Sequence, residues 1–460
     1  MPHTPAQTAP APDQAATLTG DLAHPAPQAP CGAGPAITWL RSDLRAHDHP
    51  ALEQADGPAV FIRPTHASPA RRALWEELLA DMRHALGDRL VVEPAPTHPT
   101  REARWAATAD TLLRHARAAG AEEVLVQADY TPKGLARDKT VAEILATGGV
   151  RLRALGSGYA VPPGTLRTGA GGHYKVFTPF YRAWLDCGAD APTSPAPATG
   201  ASRAWDHWEE FRRHRLAGYA EHRDLPAVDG TSRISAYLAT GALHPRTLLA
   251  SLAATDEDTA PAEDRVAFAR ELAFREFYAD FVYHRPETLQ EDVNPRFAGF
   301  TWNTPGEDLE VWKEGRTGYP IVDAGMRQLA ATGWMHNRVR MLVASFLTKD
   351  LHLPWQVGAG HFRELLVDYD PAINQHSWQW CAGTGTDASP YFRIFNPLTQ
   401  GKKFDPDATY ITRWVPELAG VPAADIHSLR NLPAAYPRPM VDHAEERRVA
   451  LARYEAVKGN

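Results

Sequence analysis

Gly230-Thr231-Ser232-Arg233-Ile234-Ser235-Ala236-Tyr237-Leu238 puts hydroxyls and an arginine at the expected start of a helix. Helix N-termini present free N–H groups and a positive dipole end, which suit phosphate. An ordinary Ser/Thr cap is the other reading. Glu271, Phe274, Arg275 and Tyr278 fall at i, i+3, i+4, i+7, so one helical face carries a carboxylate, a cation and two rings. A structural helix rarely puts ionisable groups on its apolar stripe, although an amphipathic helix with a surface ion pair shows the same pattern. Three later segments repeat the mixture: Gly333–Met341; Asp368–Asn374 with Trp378-Gln379-Trp380 and Gly383–Asp387 after it; and Pro390–Pro397. Aromatics interleaved with cations fit bases that stack while phosphates pair with arginine. Core packing is the alternative for each Trp. Other chemistries lack their motifs. The chain has no P-loop, no H-E-x-x-H and no G-x-S-x-G, and its 20 His are dispersed without ligand spacing, so no metal site is expected.

The elements that must position these residues read as two kinds. From Ala36 to about Val161, apolar runs (Ala36–Leu40, Ala59–Arg63, Arg89–Val92, Glu123–Val126, Val150–Leu155) alternate with amphipathic stretches (Pro69–Leu86, Pro99–Ala119, Lys133–Thr147). Such alternation predicts an α/β domain, a parallel sheet with helices on both faces. Ligands of these sheets sit outside the carboxyl ends of the strands. The first strand runs into Arg41-Ser42-Asp43-Leu44-Arg45, so those charges are expected to line a crevice there. Residues 162–200 read as a Gly/Pro-rich linker with one ordered aromatic piece, Tyr174–Phe180. Residues 201–460 read as helical, for example over Asp264–Tyr283 and Val322–Ala331. Residues 1–35 hold eight Pro and few large apolar groups and read as a flexible tail.

Composition narrows the classes. The 460 residues suffice for two or three domains, with 44% apolar and 22% charged residues as in ordinary globular chains. A net charge of −7 argues against a uniformly basic nucleic-acid binder, not against a local basic groove. Three cysteines (Cys31, Cys187, Cys381) are too few for a disulfide framework. There is no run of 18 apolar residues and no secretory leader pattern, so the expectation is a cytoplasmic protein with no membrane contact. Thirteen Trp are many, and seven lie between Trp302 and Trp414.

Together the segments resemble the photolyase/cryptochrome family of flavoproteins. The strings that carry the resemblance are Trp39–Arg45, Gly230–Ser235, Trp312–Gly315 through Gly318–Arg327, Trp334–Arg340, and Trp378 through Pro397. They stand in the family's order over about Ile37 to Leu418. The resemblance implies an N-terminal Rossmann-like α/β antenna domain and a C-terminal all-helical domain that binds a U-shaped FAD. Tyr219 and Thr231, Ser232, Arg233, Ile234 and Ser235 then hold the phosphates and ribityl chain. Arg275, Asn337, Arg340, Asp368, Asp370 and Asn374 surround the rings, with Arg340 and Asp368 paired and Asn374 facing the flavin N5. It further implies light-driven electron transfer from excited reduced flavin to a cyclobutane pyrimidine dimer flipped out of damaged DNA. Glu271, Asn337 and Met341 would contact the dimer and Trp380 would stack on it. Arg223, Arg338, Arg393 and Lys403 would grip flanking phosphates. Trp302, Trp355 and Trp378 match the family's electron-hopping triad.

Two positions depart from the family. Phe274 stands where a second stacking Trp is usual, and Phe keeps a ring but loses area and the indole N–H. Arg270 replaces a usual polar amide. Other positions point to a branch. The (6-4) enzymes place His at Asn337, and plant cryptochromes place an acid at Asn374 and often add a long tail. The resemblance therefore implies a microbial class I cyclobutane-dimer enzyme, with a non-repairing blue-light photoreceptor as the competing class. It also implies a monomer without an obligate protein partner. The antenna site stays open: folate, a deazaflavin, FMN or nothing.

Overall fold

The structure is a computed structural model and describes residues 35–254, 260–387, 390 and 393–458. The tail expected over 1–35 lies, apart from Pro35, outside the described residues, as do Cys31, Tyr391 and Phe392. Two compact units account for the described chain. The first gathers residues up to 65, 82–159 and 192–196, and the second gathers 66–81, 160–191 and the chain from 197 onward. The stretch read as a linker is thus divided, with most of it folded into the second unit. No helix among the described residues is long and apolar enough to cross a membrane.

The first unit is a five-stranded parallel sheet: β1 (Ala36–Leu40), β2 (Ala59–Ile62), β3 (Leu90–Glu93), β4 (Glu123–Val126) and β5 (Arg151–Ala154), in the order β3-β2-β1-β4-β5. Strands β1, β2 and β4 are buried along their whole length, which is why they read as continuous apolar runs rather than alternating ones. Helix α1 (Pro69–Leu86) follows β2 in the chain and counts with the second unit up to residue 81, and helices α2 (Arg101–Ala118) and α3 (Pro132–Thr147) lie between the later strands. Strand order reverses between β1 and β4, the place where such sheets open a ligand crevice. Here the charges expected to line a crevice each have partners elsewhere in the unit. Arg41 donates to both oxygens of Asp138 (2.6 and 2.8 Å) and to the Gln127 carbonyl, with its guanidinium over the Trp39 ring. Asp43 meets His49, and Arg45 donates to the Asp48 carbonyl and Gln127 Oε1.

The second unit is helical. Its elements include α4 (Phe177–Cys187), α5 (Ala262–His284), α6 (Pro320–Thr332), α7 (Asn337–Ser345), α8 (Trp355–Leu365), α9 (Pro371–Ala382) and α10 (His443–Lys458). Its largest apolar cluster centres on Trp312, Phe346, Trp355, Trp378 and Tyr410. Buried indoles need an acceptor for their N–H. Trp312 donates to the Val343 carbonyl at 3.2 Å and Trp208 to Ser251 Oγ at 3.0 Å.

Two carboxylates on α5 organise residues 160–164. Glu276 accepts from the backbone of Ala160 and Val161 and from the Trp184 indole. Asp280 accepts from the Gly164 N–H at 2.7 Å. Gly164 has φ +87° and sits so close to Tyr283 that a Cβ would lie 2.5 Å from its ring, so only glycine fits. Burial pushes the Asp280 carboxyl up to about 6. Between its ordinary value and 6, the folded chain keeps a proton the unfolded chain has lost. Stability therefore falls as pH rises through that window, and above it the cost is constant. Asp280→Asn keeps an acceptor for Gly164 and removes the charge. It should raise stability by about 1–3 kcal/mol at pH 8, with the gain vanishing near pH 4. Urea denaturation of both proteins across pH checks this, and a gain of equal size at both ends would refute it.

Candidate functional site

Helix α5 runs from Ala262 to His284, and its i, i+3, i+4, i+7 spacing brings Glu271, Phe274, Arg275 and Tyr278 to one wall of a cavity of about 420 Å³. That volume lies in the roughly 300–1,000 Å³ range of ligand sites. Helix α7 supplies a second wall with Asn337, Arg338, Arg340, Met341 and Ala344. Its start is set by His336, whose Nδ1 accepts from the Arg338 N–H at 3.1 Å. Helix α9 supplies Ile373, Asn374, Ser377, Trp378, Trp380 and Cys381. Asp370 caps α9, its Oδ1 accepting from Ala372 and Ile373 N–H (2.9 and 3.1 Å), and Pro371 in the first turn suits that start. Leu366, Asp368 and Tyr369, in the turn before it, complete the lining with Phe362 of α8.

The floor carries an ion pair between a half-buried arginine and a buried carboxylate. Arg340 donates from Nη2 to Asp368 Oδ2 at 2.8 Å and from Nε to the Met335 carbonyl at 2.8 Å. Ser235 Oγ donates to the same Asp368 oxygen at 2.7 Å. Burial alone would raise the Asp368 carboxyl. The Arg340 charge and hydrogen bond, the Ser235 bond and the Arg71 charge outweigh it and hold the group below its ordinary range. Asp368 Oδ1 is buried and has no hydrogen-bond partner. Asn374 donates from Nδ2 to the Ala359 carbonyl (3.1 Å) and Gln375 Oε1 (2.7 Å), which leaves its Oδ1 as an acceptor.

At the rim, cations pair with acids. Arg223 meets Glu271 at 2.8 Å, and Arg338 meets Asp224 at 2.5 Å while its guanidinium lies over the Phe404 ring. Phe274 stacks on Phe177 with centroids 3.4 Å apart and planes 7° apart, so one face of its ring is covered. Arg270 lies over Phe177 and Tyr181, which gives this unusual arginine a packing role.

Of the residues singled out in the sequence, the cavity gathers Arg223, Glu271, Phe274, Arg275, Asn337, Arg338, Arg340, Met341, Asp368, Asp370, Asn374, Trp378 and Trp380. Tyr219, Thr231, Ser232, Arg233 and Ile234 are not in its lining. Tyr219 packs on Phe211 and Phe268, and Arg233 reaches Asp229 and the Trp334 ring. The helix expected to start within Gly230–Leu238 does so at Ser235, the last of its Ser/Thr hydroxyls. Arg233 has φ +54°, and Ile234 caps the helix with no side-chain bond. Ser235 reaches the site through Asp368. Arg393 and Lys403 are exposed and lie outside the lining. Sequence reasoning missed Asp224, Ala344, Phe362, Leu366, Ser377 and Cys381. Helical spacing from Asn374 through Trp378 to Cys381 was the available signal for the last.

Two family models match: residues 36–198 fit "DNA photolyase", and residues 268–456 fit "FAD binding domain of DNA photolyase". A deoxyribodipyrimidine photo-lyase of Vibrio cholerae is 38% identical over 92% of this chain and 100% of its own length. The chain belongs to the DNA photolyase family. Among solved family structures, a bacterial class III photolyase from Agrobacterium tumefaciens superposes with TM-score 0.82 at 35% identity, covering 95% of this chain and 100% of its own. An archaeal photolyase from Sulfolobus tokodaii, described with two FAD molecules, gives TM-score 0.77 at 30% identity, covering 92% and 100%.

The FAD of this photolyase fold fits the residues present. A flavin brings a ring donor, hydroxyls and two phosphates. The cavity offers the orphaned Asp368 Oδ1 and the free Asn374 Oδ1 as acceptors, four arginines, and flat apolar walls at Phe362, Leu366 and Trp378.

Proposed function

We propose that this photolyase repairs cyclobutane pyrimidine dimers in DNA with light, using FAD held on the cavity floor and a dimer flipped into the cavity mouth. The observation that supports it is one cavity with two chemistries. Its floor presents Asp368, Arg340 and Asn374, and its walls present Glu271, Phe274, Asn337, Met341 and Trp380. When bound, reduced FAD supplies the light-excited electron that opens the dimer and takes it back. The chain positions. Arg340 and Asp368 orient the ring, Asn374 accepts from it without acting as an acid, and Trp380 and Phe274 offer faces to an unstacked base. Glu271 exchanges its Arg223 partner for the dimer, which frees Arg223 for a phosphate beside Arg338, Arg393 and Lys403. Trp378, Trp355 and Trp302 relay electrons that keep the flavin reduced. On this reading the α/β unit is the antenna-side domain and the helical unit the catalytic one. The protein acts on DNA as a cytoplasmic monomer, and the free thiols of Cys187 and Cys381 agree with a reducing compartment.

The test is dimer reversal in a duplex carrying one thymine dimer, under blue light, with the flavin reduced beforehand. A flavin-loaded protein that binds this duplex and leaves the dimer intact refutes the proposal and favours a photoreceptor. A second measurement concerns Phe274. Phe274→Ala should lose about 1–3 kcal/mol of affinity for dimer-containing over undamaged DNA, with FAD content unchanged. Loss of flavin with intact lesion binding would instead assign the ring to packing on Phe177.

A further inference from the structure

The Trp355 indole is wholly buried at the first turn of α8, and its Nε1–H donates to Asp292 Oδ1 at 2.8 Å. A packed indole does not need a carboxylate. In the same unit Trp312 is satisfied by a backbone carbonyl and Trp208 by a hydroxyl. Glu276, which bonds Trp184, also anchors two backbone N–H groups. The Asp292 carboxylate has the indole as its one hydrogen-bond partner among the described residues.

The loop that carries Asp292 is fastened to the helices that carry the relay. Gln379 of α9 accepts from the Val293 N–H at 2.9 Å and donates to the Thr288 carbonyl at 2.7 Å. Gln375 donates to the Leu289 carbonyl, and Gln356 of α8 to that of Gln290. Asn294 N–H donates to the Thr384 carbonyl. Three glutamine side chains and one backbone bond therefore hold the carboxylate over one indole. Asp292 is itself half-buried, so its outer side meets water while its inner oxygen meets Trp355.

We propose that Asp292 is the proton acceptor for oxidised Trp355. The proposal rests on the relay reading given above. An electron passes from Trp355 to Trp378, which has given its own to light-excited oxidised flavin. The Trp355 ring is then a radical cation, and its N–H is far more acidic than in the neutral indole. The Nε1–H bond breaks, and the proton moves along the existing hydrogen bond to Asp292 Oδ1. The bonding pair stays on nitrogen, leaving a neutral indolyl radical and a neutral carboxylic acid. Electron return to Trp378 then also requires the proton to return, so charge separation outlasts the back-reaction. An external thiolate then supplies one electron through Trp302, itself becoming a thiyl radical, and Asp292 returns its proton to Nε1, which restores the neutral indole and the carboxylate.

The experiment uses flavin-loaded full-length protein and Asp292→Asn, which keeps an oxygen acceptor for the indole but cannot take the proton. In the parent, transient absorption should show the Trp radical cation converting to the neutral radical, with slower conversion in D₂O. In Asp292→Asn that conversion and its isotope effect should disappear, and the yield of stable flavin reduction should fall, because the amide accepts the hydrogen bond but has no site for the proton. Asp292→Glu should restore both. In the dark, the Trp355 indole N–H resonance, assigned by its loss in Trp355→Phe, should shift in Asp292→Asn while staying protected from exchange. Unchanged radical spectra and isotope effect in Asp292→Asn overturn the proposal while leaving the relay standing. Normal photoreduction in Trp355→Phe overturns both.

Discussion

Trp378→Phe should cut the light-driven reduction of oxidised flavin by at least about ten-fold, since Phe is harder to oxidise than Trp by far more than the ~1.4 kcal/mol a ten-fold change represents. On the proposed relay, Trp378 is the member that borders the cavity. It is 2% exposed, meets Phe362 edge-on at 5.0 Å and Trp312 at 6.1 Å, and is in the cavity lining. Trp355 follows on the helix packed against it. On that helix a Cβ at Gly358 would lie 2.2 Å from Trp378 Cη2, so the indole's far edge lies against bare backbone. Trp302 is half-buried against Phe300 at 4.4 Å, and the next residue, Asn303, is tied to Leu351 and His352 just before Trp355. A packing role alone predicts only the gap that Phe leaves at Gly358, about 1–2 kcal/mol of stability. Dimer repair should survive once the flavin is reduced chemically, because the repair electron does not use the relay. The decay of oxidised-flavin absorbance under blue light is the readout, and an unchanged decay would take Trp378 out of the path.

Asp368→Asn should weaken FAD retention by about 100-fold or more, in the range expected when the buried partner of an ion pair is removed and costs about 3–5 kcal/mol. The carboxylate is the single anion shared by Arg340 and Ser235, with Arg71 adding a third favourable interaction. An amide there leaves the Arg340 guanidinium without its counter-charge, leaves Arg71 with Asp370 alone of its two aspartates, and turns a buried acceptor into a mixed group. Ser235→Ala, which removes one neutral donor, should cost only about ten-fold at most. FAD remaining after gel filtration and the FAD dependence of Tm measure both variants. Equal retention in Asp368→Asn and the parent would show that the flavin does not rest on this pair.

Helix α1 begins and ends where apolar spacing and Pro69 place it, and the five strands lie within one residue of the apolar runs at every end. These features are legible because they are local: a proline at the first turn, a four-residue recurrence, or a run buried on both faces is written within a few neighbours. The wall formed by Glu271, Phe274, Arg275 and Tyr278 is legible for the same reason, since helical geometry alone aligns them. Partnership is not local. Ser235 meets Asp368 across 133 positions and Trp355 meets Asp292 across 63, and neither spacing has a period. The charges Arg41–Arg45 look like crevice lining in one dimension, and only the order β1-β4 sets Arg41 beside Asp138 and Gln127. The helix start read from the hydroxyls of Gly230–Leu238 falls at Ser235, two residues after the left-handed Arg233. Short-range sterics and hydrogen bonding therefore settled which elements form. The packing of those elements decided which distant carboxylate faces which cation or indole, because a buried charge or N–H is stable only where the whole fold delivers its partner.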